Sequence, residues 1–165
     1  MSNQWNQLIW RQFGAAIETL ENAIRECPEE IWSDRKPYHQ YWYWAYHTLF
    51  WLDYYLSESP DTYAPPEPFT MSEMAPEGKM PDRVYSQDEL LLYLEYGRSK
   101  CRSTVLALSE EQAHQPSPMR EPLTVAELLL YNMRHVQHHS AQLNMLLRQR
   151  VGSAPKWVSQ VKKSG

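Results

Sequence analysis

The stretch YNMRHVQHHSAQL, residues 131–143, lies within a long segment whose apolar residues recur at helical spacing. Three of the six histidines of the chain fall within five positions of this stretch. His135 and His139 are four residues apart, so on an α-helix their side chains lie on one face, about one turn apart. Two imidazoles at this spacing can bind one metal ion, and a third ligand must then come from elsewhere in the chain.

Four long segments of the chain carry the patterns of α-helices. Apolar residues recur at intervals of three and four over residues 4–25, and the aromatic run over residues 38–57 is too long for a typical strand. Capping boxes at residues 86–89 (SQDE) and 124–127 (TVAE) open a third helix, to about residue 108, and a fourth, to about residue 150. These segments predict an all-α four-helix bundle.

A proline-rich connection, residues 58–85, separates the second and third helices. It contains six of the twelve prolines, which marks a non-helical crossover. A connection of this length lets the third helix run parallel to the second. We expect a single domain, residues 1–165, with short helical turns near residues 28–32 and 109–112. In the tail, residues 153–165, we expect a short helix at residues 155–161 and frayed final residues.

The composition excludes several classes of function. The chain has 165 residues, a net charge of −4 and a pI near 5.9, so it lacks the basic surface of a nucleic-acid-binding protein. It has no run of 18 apolar residues and no signal peptide, so we expect a cytoplasmic protein that does not bind membranes. Cys27 and Cys101 form no Cys-x-x-Cys motif, which excludes a zinc ribbon or a thioredoxin-type site and leaves their redox state open.

The aromatic second helix supplies a candidate third ligand, His47. On a helix it shares one broad stripe with large side chains, namely Gln40, Tyr43, Trp44, Trp51 and Tyr54. Three neutral imidazoles with an open fourth position are the layout of a catalytic metal site, where the open position takes water or substrate. Imidazole suits zinc, nickel, copper and iron alike, so the metal stays open. The competing interpretation is that these histidines and aromatic residues are core side chains, which is the commoner role of each residue type.

The remaining histidines are less suited to the site. His138 directly precedes His139 and points about 100° away from it around the helix, so we expect His138 near the surface or beside the site. His39 lies roughly 12 Å from His47 along the helix axis, at a different height. His114 lies in a proline-rich loop, where we expect it to be exposed.

The chain resembles the DinB-like (DinB/YfiT) superfamily, a group of proposed metalloenzymes. The resemblance rests on His47 in AYHTL (residues 45–49), on the HxxxH of residues 135–139, and on the SAQL that follows it. Many members read His-Arg-Gly-Gln where this chain reads HSAQ, so the arginine of that pattern is missing. The resemblance implies a four-helix bundle with up-down-down-up topology, a divalent metal site at His47, His135 and His139, and a homodimer.

The resemblance also implies an activity. Some relatives are thiol-dependent transferases or isomerases that use mycothiol, bacillithiol or glutathione, and the metal there lowers the pKa of the thiol. We therefore expect a divalent-metal-dependent enzyme, a thiol-dependent S-transferase or isomerase, that binds zinc, nickel or iron. It would take a small-molecule substrate and a low-molecular-weight thiol.

Four further residues are expected around this site. Gln142 is expected to support the ligands through a hydrogen bond, and Tyr43, Trp44 and Trp51 are expected to line the pocket. Two rival functions remain. One is a non-catalytic helical binding or dimerisation protein, and the other is a hydrolase that uses metal-bound hydroxide.

Overall fold

The computed structural model describes residues 3–34, 40–76 and 79–161. Over these residues the chain forms six α-helices: α1 (Asn3–Glu26), α2 (Glu29–Trp32), α3 (Tyr41–Tyr54), α4 (Gln87–Ala107), α5 (Glu110–Ala113) and α6 (Val125–Val151). Two short 3-10 helices, Pro60–Thr62 and Met71–Met74, lie in the crossover.

The prediction of an all-α fold is confirmed. Apart from one isolated bridge between Pro116 and Thr124, the described residues form no β-structure. Within the same ranges, none of the helices has the length and apolar character needed to cross a membrane.

The long helices begin and end close to the residues that the sequence predicts. Both α4 and α6 open on the predicted capping boxes, in which a hydroxyl side chain accepts a hydrogen bond from the N–H three residues later. α6 ends at Gly152, whose φ of 85° lies in the left-handed region that glycine adopts without strain. The predicted start of the second helix near Tyr38, and with it His39, lies outside the described residues.

Hydrogen bonds between helix ends define the directions of α1 and α4. Asn6, near the start of α1, donates from Nδ2 to the carbonyl of Leu108, just past the end of α4, at 2.9 Å. Gln87, the first residue of α4, donates to the carbonyl of Ile24, near the end of α1, at 2.7 Å. The two helices are therefore antiparallel.

α3 and α6 form the pair that carries the candidate site. The hydroxyl of Tyr41, at the start of α3, donates to the carbonyl of Ala23 at 2.8 Å, so α3 starts where α1 ends. Near the start of α6, Asn132 Nδ2 donates to the carbonyl of Leu52, near the end of α3, at 3.0 Å. Thus α3 and α4 both run opposite to α1, and α6 runs opposite to α3.

The bundle core is rich in aromatic side chains, some of which come from the crossover. Its largest fully buried side chains include Trp32, Tyr41, Tyr46, Phe50, Tyr85 and Tyr93. Phe69 of the crossover stacks on Tyr93 of α4, with ring centroids 4.3 Å apart. Burial of such large rings contributes strongly to stability, so the crossover is part of the core rather than a free loop.

A buried polar network also ties the crossover to the bundle. Asp53 of α3 is fully buried and accepts a hydrogen bond from Lys100 Nζ of α4 at 2.5 Å. It also accepts from the hydroxyls of Tyr63, in the crossover, at 3.0 Å and of Tyr93 at 3.1 Å. Three elements meet on one carboxylate, and these bonds offset the desolvation of its charge.

The tail differs from its prediction. Residues 155–161 form no helix, so the predicted tail helix is wrong. Instead, this segment lies along α1, and the N–H of Val161 donates to the carbonyl of Arg11 at 3.0 Å. A Cβ on Gly14 would lie 3.1 Å from the Val161 side chain, so this glycine leaves room for the tail. Packing on α1 replaces the local hydrogen bonds of a helix too short to be stable alone.

Candidate metal centre

Three histidines from two helices converge at the centre of the α3–α6 interface. His47 lies midway along α3, and His135 and His139 lie one turn apart on α6. One ring nitrogen from each lies within 4.8 Å of those of the other two. The ring centroids are separated by 5.4 Å (His47–His135), 4.9 Å (His47–His139) and 4.5 Å (His135–His139). This group could hold a metal ion.

A carboxylate of the crossover contacts the His47 ring at Nδ1. His47 Nδ1 lies 2.7 Å from Glu73 Oε2. A carboxylate accepts hydrogen bonds, so Nδ1 carries the proton of this contact, and in the neutral imidazole Nε2 has the lone pair. Histidines that bind metal usually donate their other ring N–H to a carboxylate or a carbonyl in this way.

The ring of His139 is held in the same manner within α6. His139 Nδ1 lies 2.7 Å from Gln142 Oε1. An amide oxygen also accepts, so Nδ1 donates the hydrogen bond and Nε2 is free to act as a ligand. The hydrogen bond between His139 and Gln142 is the contact that the sequence predicts for this glutamine.

The two histidines of α6 are neutral at neutral pH. Burial, together with the nearby rings of His139 and His47, lowers the pKa of His135 to about 3. Burial and the proximity of His47 lower the pKa of His139 to about 4. Neutral imidazole is the form that binds metal, so both rings are ready to act as ligands without losing a proton.

One atom of the cluster lacks a partner. Nδ1 of His135 is buried and forms no hydrogen bond with any residue in the described ranges. Buried polar atoms in native proteins are almost always bonded, and an ion or a water molecule bound at this nitrogen would supply the partner. The donor set, which has three imidazoles and no thiolate, suits a divalent ion with an open position.

Aromatic rings surround His47. The rings of Tyr43, Trp44 and Trp51 lie 6.2, 5.7 and 6.2 Å from its ring, centroid to centroid. All three side chains are partly buried. Burial and then the charge of Glu73 raise the pKa of Tyr43, so its phenol stays protonated. These rings are the ones that the sequence places beside the site.

An open groove reaches the cluster from the outer face of α6. It has a volume of about 480 Å³ and is lined by Tyr131, Arg134, His135, Gln137, His138 and Ala141. His135 belongs both to this groove and to the three-histidine group. The groove and the three-histidine group therefore meet at His135.

The other candidates stay outside the cluster. His138 is exposed and is not one of the three converging histidines, as its position on the helix predicts. His114 is exposed in the loop before α6. Cys27 and Cys101 are both buried free thiols, and burial raises the pKa of each, that of Cys27 to about 12. Neither thiol is suited to act as a nucleophile.

Glu73 is the residue of the site that the sequence did not reveal. It lies in the crossover, 26 positions after His47, and no local pattern links the two residues. Two general signals point towards such a residue. Connections as long as this crossover are often functional, and a histidine that binds metal usually has a carboxylate or a carbonyl behind it. Neither signal identifies which residue of the crossover it is.

Comparisons with known proteins bear on the same part of the chain. The sequence model of the DinB family matches residues 102–164, a segment that contains His135 and His139 but not His47. Neither the curated proteins nor the solved structures gave a match. The family match covers all of α6, which carries two of the three converging histidines.

Proposed function

We propose that this chain, whose match over residues 102–164 supports DinB-like superfamily membership, is a divalent-metal-dependent enzyme. Its proposed ligands are His47, His135 and His139. The observation that carries the proposal is the convergence of these three ring nitrogens from two helices to within 4.8 Å of one another. Hydrogen bonds from Nδ1 hold two of the rings, which is the support that a metal-binding histidine requires.

The chain's own residues prepare the site. The α3–α6 interface sets the positions of the three rings, and Glu73 and Gln142 set the orientation of two of them. Trp44 and Trp51 restrict water, while the groove beside His135 leaves one side accessible. A bound divalent ion would act as a Lewis acid here, lowering the pKa of a thiol or of a water molecule.

Within this class, we propose a thiol-dependent S-transferase or isomerase that uses a low-molecular-weight thiol as co-substrate. Support comes from the resemblance to thiol-dependent relatives. It also comes from the position of the protein's own cysteines, which are buried with raised pKa values and do not belong to the cluster. A reacting thiol would therefore have to come from solution rather than from the protein's own cysteines. A homodimer is proposed on the resemblance alone and is tested by light scattering.

The metal content tests the first part of the proposal. Protein purified without a metal-affinity step should contain one divalent ion per chain by elemental analysis. His135→Ala should lose the ion, whereas His138→Ala, on the same helix but outside the cluster, should keep it. If both variants keep the ion, or if both lose it, the result contradicts the proposed ligands.

Turnover tests the second part. The metal-loaded protein should transform an electrophilic small molecule only when a low-molecular-weight thiol is added, and His135→Ala should abolish this activity. Turnover without any thiol would instead support the hydrolase. A protein that binds metal but transforms none of a broad panel of thiols and electrophiles would support the non-catalytic binding protein.

A further inference from the structure

Glu73 reaches the candidate metal centre from outside the four long helices. It belongs to the 3-10 helix Met71–Met74 in the crossover. Its Oε2 accepts hydrogen bonds from His47 Nδ1 at 2.7 Å and from Trp51 Nε1 at 3.2 Å. One carboxylate therefore joins the crossover to two side chains of α3, and one of them is a proposed ligand.

The carboxylate of Glu73 is buried without a lysine or arginine beside it among the described residues. Its side chain is only 4% exposed, and the other oxygen, Oε1, has no hydrogen-bond partner among the described residues. Among the described residues its ion-pair contact is with His47, which is charged only when protonated, and none is with a lysine or an arginine. A buried carboxylate is costly unless it is paired, so this site calls for a nearby positive charge. A divalent ion on the opposite side of the His47 ring would supply it.

The segment around Glu73 has a second, independent attachment to α3. The hydroxyl of Tyr46 donates to the carbonyl of Thr70 at 2.7 Å and lies 3.4 Å from Ser72 Oγ. These contacts do not involve His47. Ser72 therefore offers a matched control, because it lies next to Glu73 and contacts the same helix without touching the cluster.

We propose that Glu73 is a positioning residue that couples the occupancy of the metal site to the docking of crossover residues 70–74 on α3. The inference rests on the proposed function, because it requires His47 to be a metal ligand. If His47 held a divalent ion, its imidazole would be polarised and the hydrogen bond that Nδ1–H donates to the carboxylate would become stronger. Coupling between two equilibria is reciprocal, so a docked Glu73 must tighten metal binding by the same factor by which metal tightens docking.

Glu73→Gln separates this role from a structural one. Glutamine keeps the shape and an accepting oxygen but removes the buried charge. The affinity of the Glu73→Gln protein for Zn²⁺, measured by competition with a chromogenic chelator, should be about 10- to 100-fold lower than that of the unaltered protein. The thermal midpoint of the metal-free variant should not fall, because glutamine keeps an acceptor for His47 and Trp51 and removes a buried carboxylate that has no lysine or arginine partner. A merely structural role would lower both quantities, and that result would overturn the inference.

Ser72→Ala provides the control, and hydrogen exchange provides the second readout. The zinc affinity of Ser72→Ala should stay close to that of the unaltered protein. Zinc should slow amide exchange at residues 70–74 in the unaltered protein and in Ser72→Ala, but much less in Glu73→Gln. Equal slowing in all three proteins would also overturn the coupling.

The outcomes distinguish the inference from the proposed function. Suppose that the unaltered protein binds zinc, that His135→Ala does not, and that Glu73→Gln binds zinc as tightly as the unaltered protein. The metal site would then stand, and the role of Glu73 would be refuted. Unaltered protein that binds no zinc would refute both. The Co²⁺-substituted protein adds a spectroscopic check, because Glu73→Gln should shift its visible absorption bands whereas Ser72→Ala should not.

Discussion

Trp44 of α3 stacks on His139 of α6, with ring centroids 5.4 Å apart and planes inclined by 22°. The same indole lies edge-on to His47, with ring centroids 5.7 Å apart. Trp44 therefore contacts two of the three converging histidines, one from each helix. This ring packs between the two sides of the site and limits the positions that either imidazole can take.

The position of Trp44 predicts an optical signal. Binding of Co²⁺ at the three histidines should quench tryptophan fluorescence, because a paramagnetic ion would lie beside the indole. Trp44→Phe should lower the quenched fraction. Trp157→Phe should not, since Trp157 is 72% exposed in the tail, away from the α3–α6 interface. Equal quenching of Trp44→Phe and the unaltered protein would place the ion elsewhere.

Gln142 predicts a second change in metal affinity. Gln142→Leu removes the acceptor for His139 Nδ1–H and should weaken zinc binding by about 10-fold, within the range for such supporting residues. Gln142→Glu keeps an acceptor and should retain or tighten binding. Gln149→Leu, at an exposed position of the same helix, is the control for general effects on α6. An affinity of Gln142→Leu equal to that of the control would remove Gln142 from the site.

The lowered pKa values of two histidines predict how stability depends on pH. The pKa of a histidine in an unfolded chain is about 6.5, whereas that of His135 is about 3 and that of His139 about 4 in the fold. Below the ordinary value, the unfolded chain binds protons that the folded chain excludes. The stability of the metal-free protein should therefore be complete above that value and should fall as the pH drops towards about 4.

Thermal midpoints of the metal-free protein, measured from pH 7.5 to 4.5, check this dependence. The double variant His135→Gln/His139→Gln lacks both groups and should lose less stability over the same interval. If its midpoint falls as steeply as that of the unaltered protein, other titrating groups cause the loss.

Asp53 predicts a large loss of stability away from the metal centre. Asp53→Ala leaves the hydroxyls of Tyr63 and Tyr93 and the ammonium of Lys100 without their shared acceptor. Removal of one partner from a buried charged network costs about 3–5 kcal/mol. Chemical denaturation should show a loss of about this size, towards its lower end because Lys100 is partly exposed. Asp61→Ala, on the exposed face of the crossover, should change stability by about 0.5 kcal/mol or less.

Local signals explain how much of this structure the sequence predicts. The capping boxes define the starts of α4 and α6, because a cap depends on residues only three positions apart. The i, i+4 spacing places His135 and His139 on one face for the same reason. His47 could be added because helical spacing places it on one stripe of α3 with the large side chains of Tyr43, Trp44 and Trp51, a stripe that is partly buried in the structure. The prediction that these three rings converge agrees with the structure.

Long-range packing explains what the sequence did not predict. Glu73 contacts His47 only because the crossover folds back over α3, held by the hydroxyl of Tyr46. The path of a proline-rich connection follows from such contacts and not from its own pattern. The tail is similar, since residues 155–161 follow the surface of α1 next to Gly14 instead of forming a helix.

The most direct test is X-ray absorption spectroscopy at the zinc K-edge of the zinc-loaded protein, compared with His138→Ala and with His135→Ala. For the unaltered protein and His138→Ala, we predict a shell that includes three imidazole nitrogens at about 2.0–2.1 Å. His135→Ala should lose the zinc or retain fewer imidazoles in that shell. A shell of oxygen atoms without imidazole, or an identical spectrum for His135→Ala, would show that His47, His135 and His139 are not the metal site.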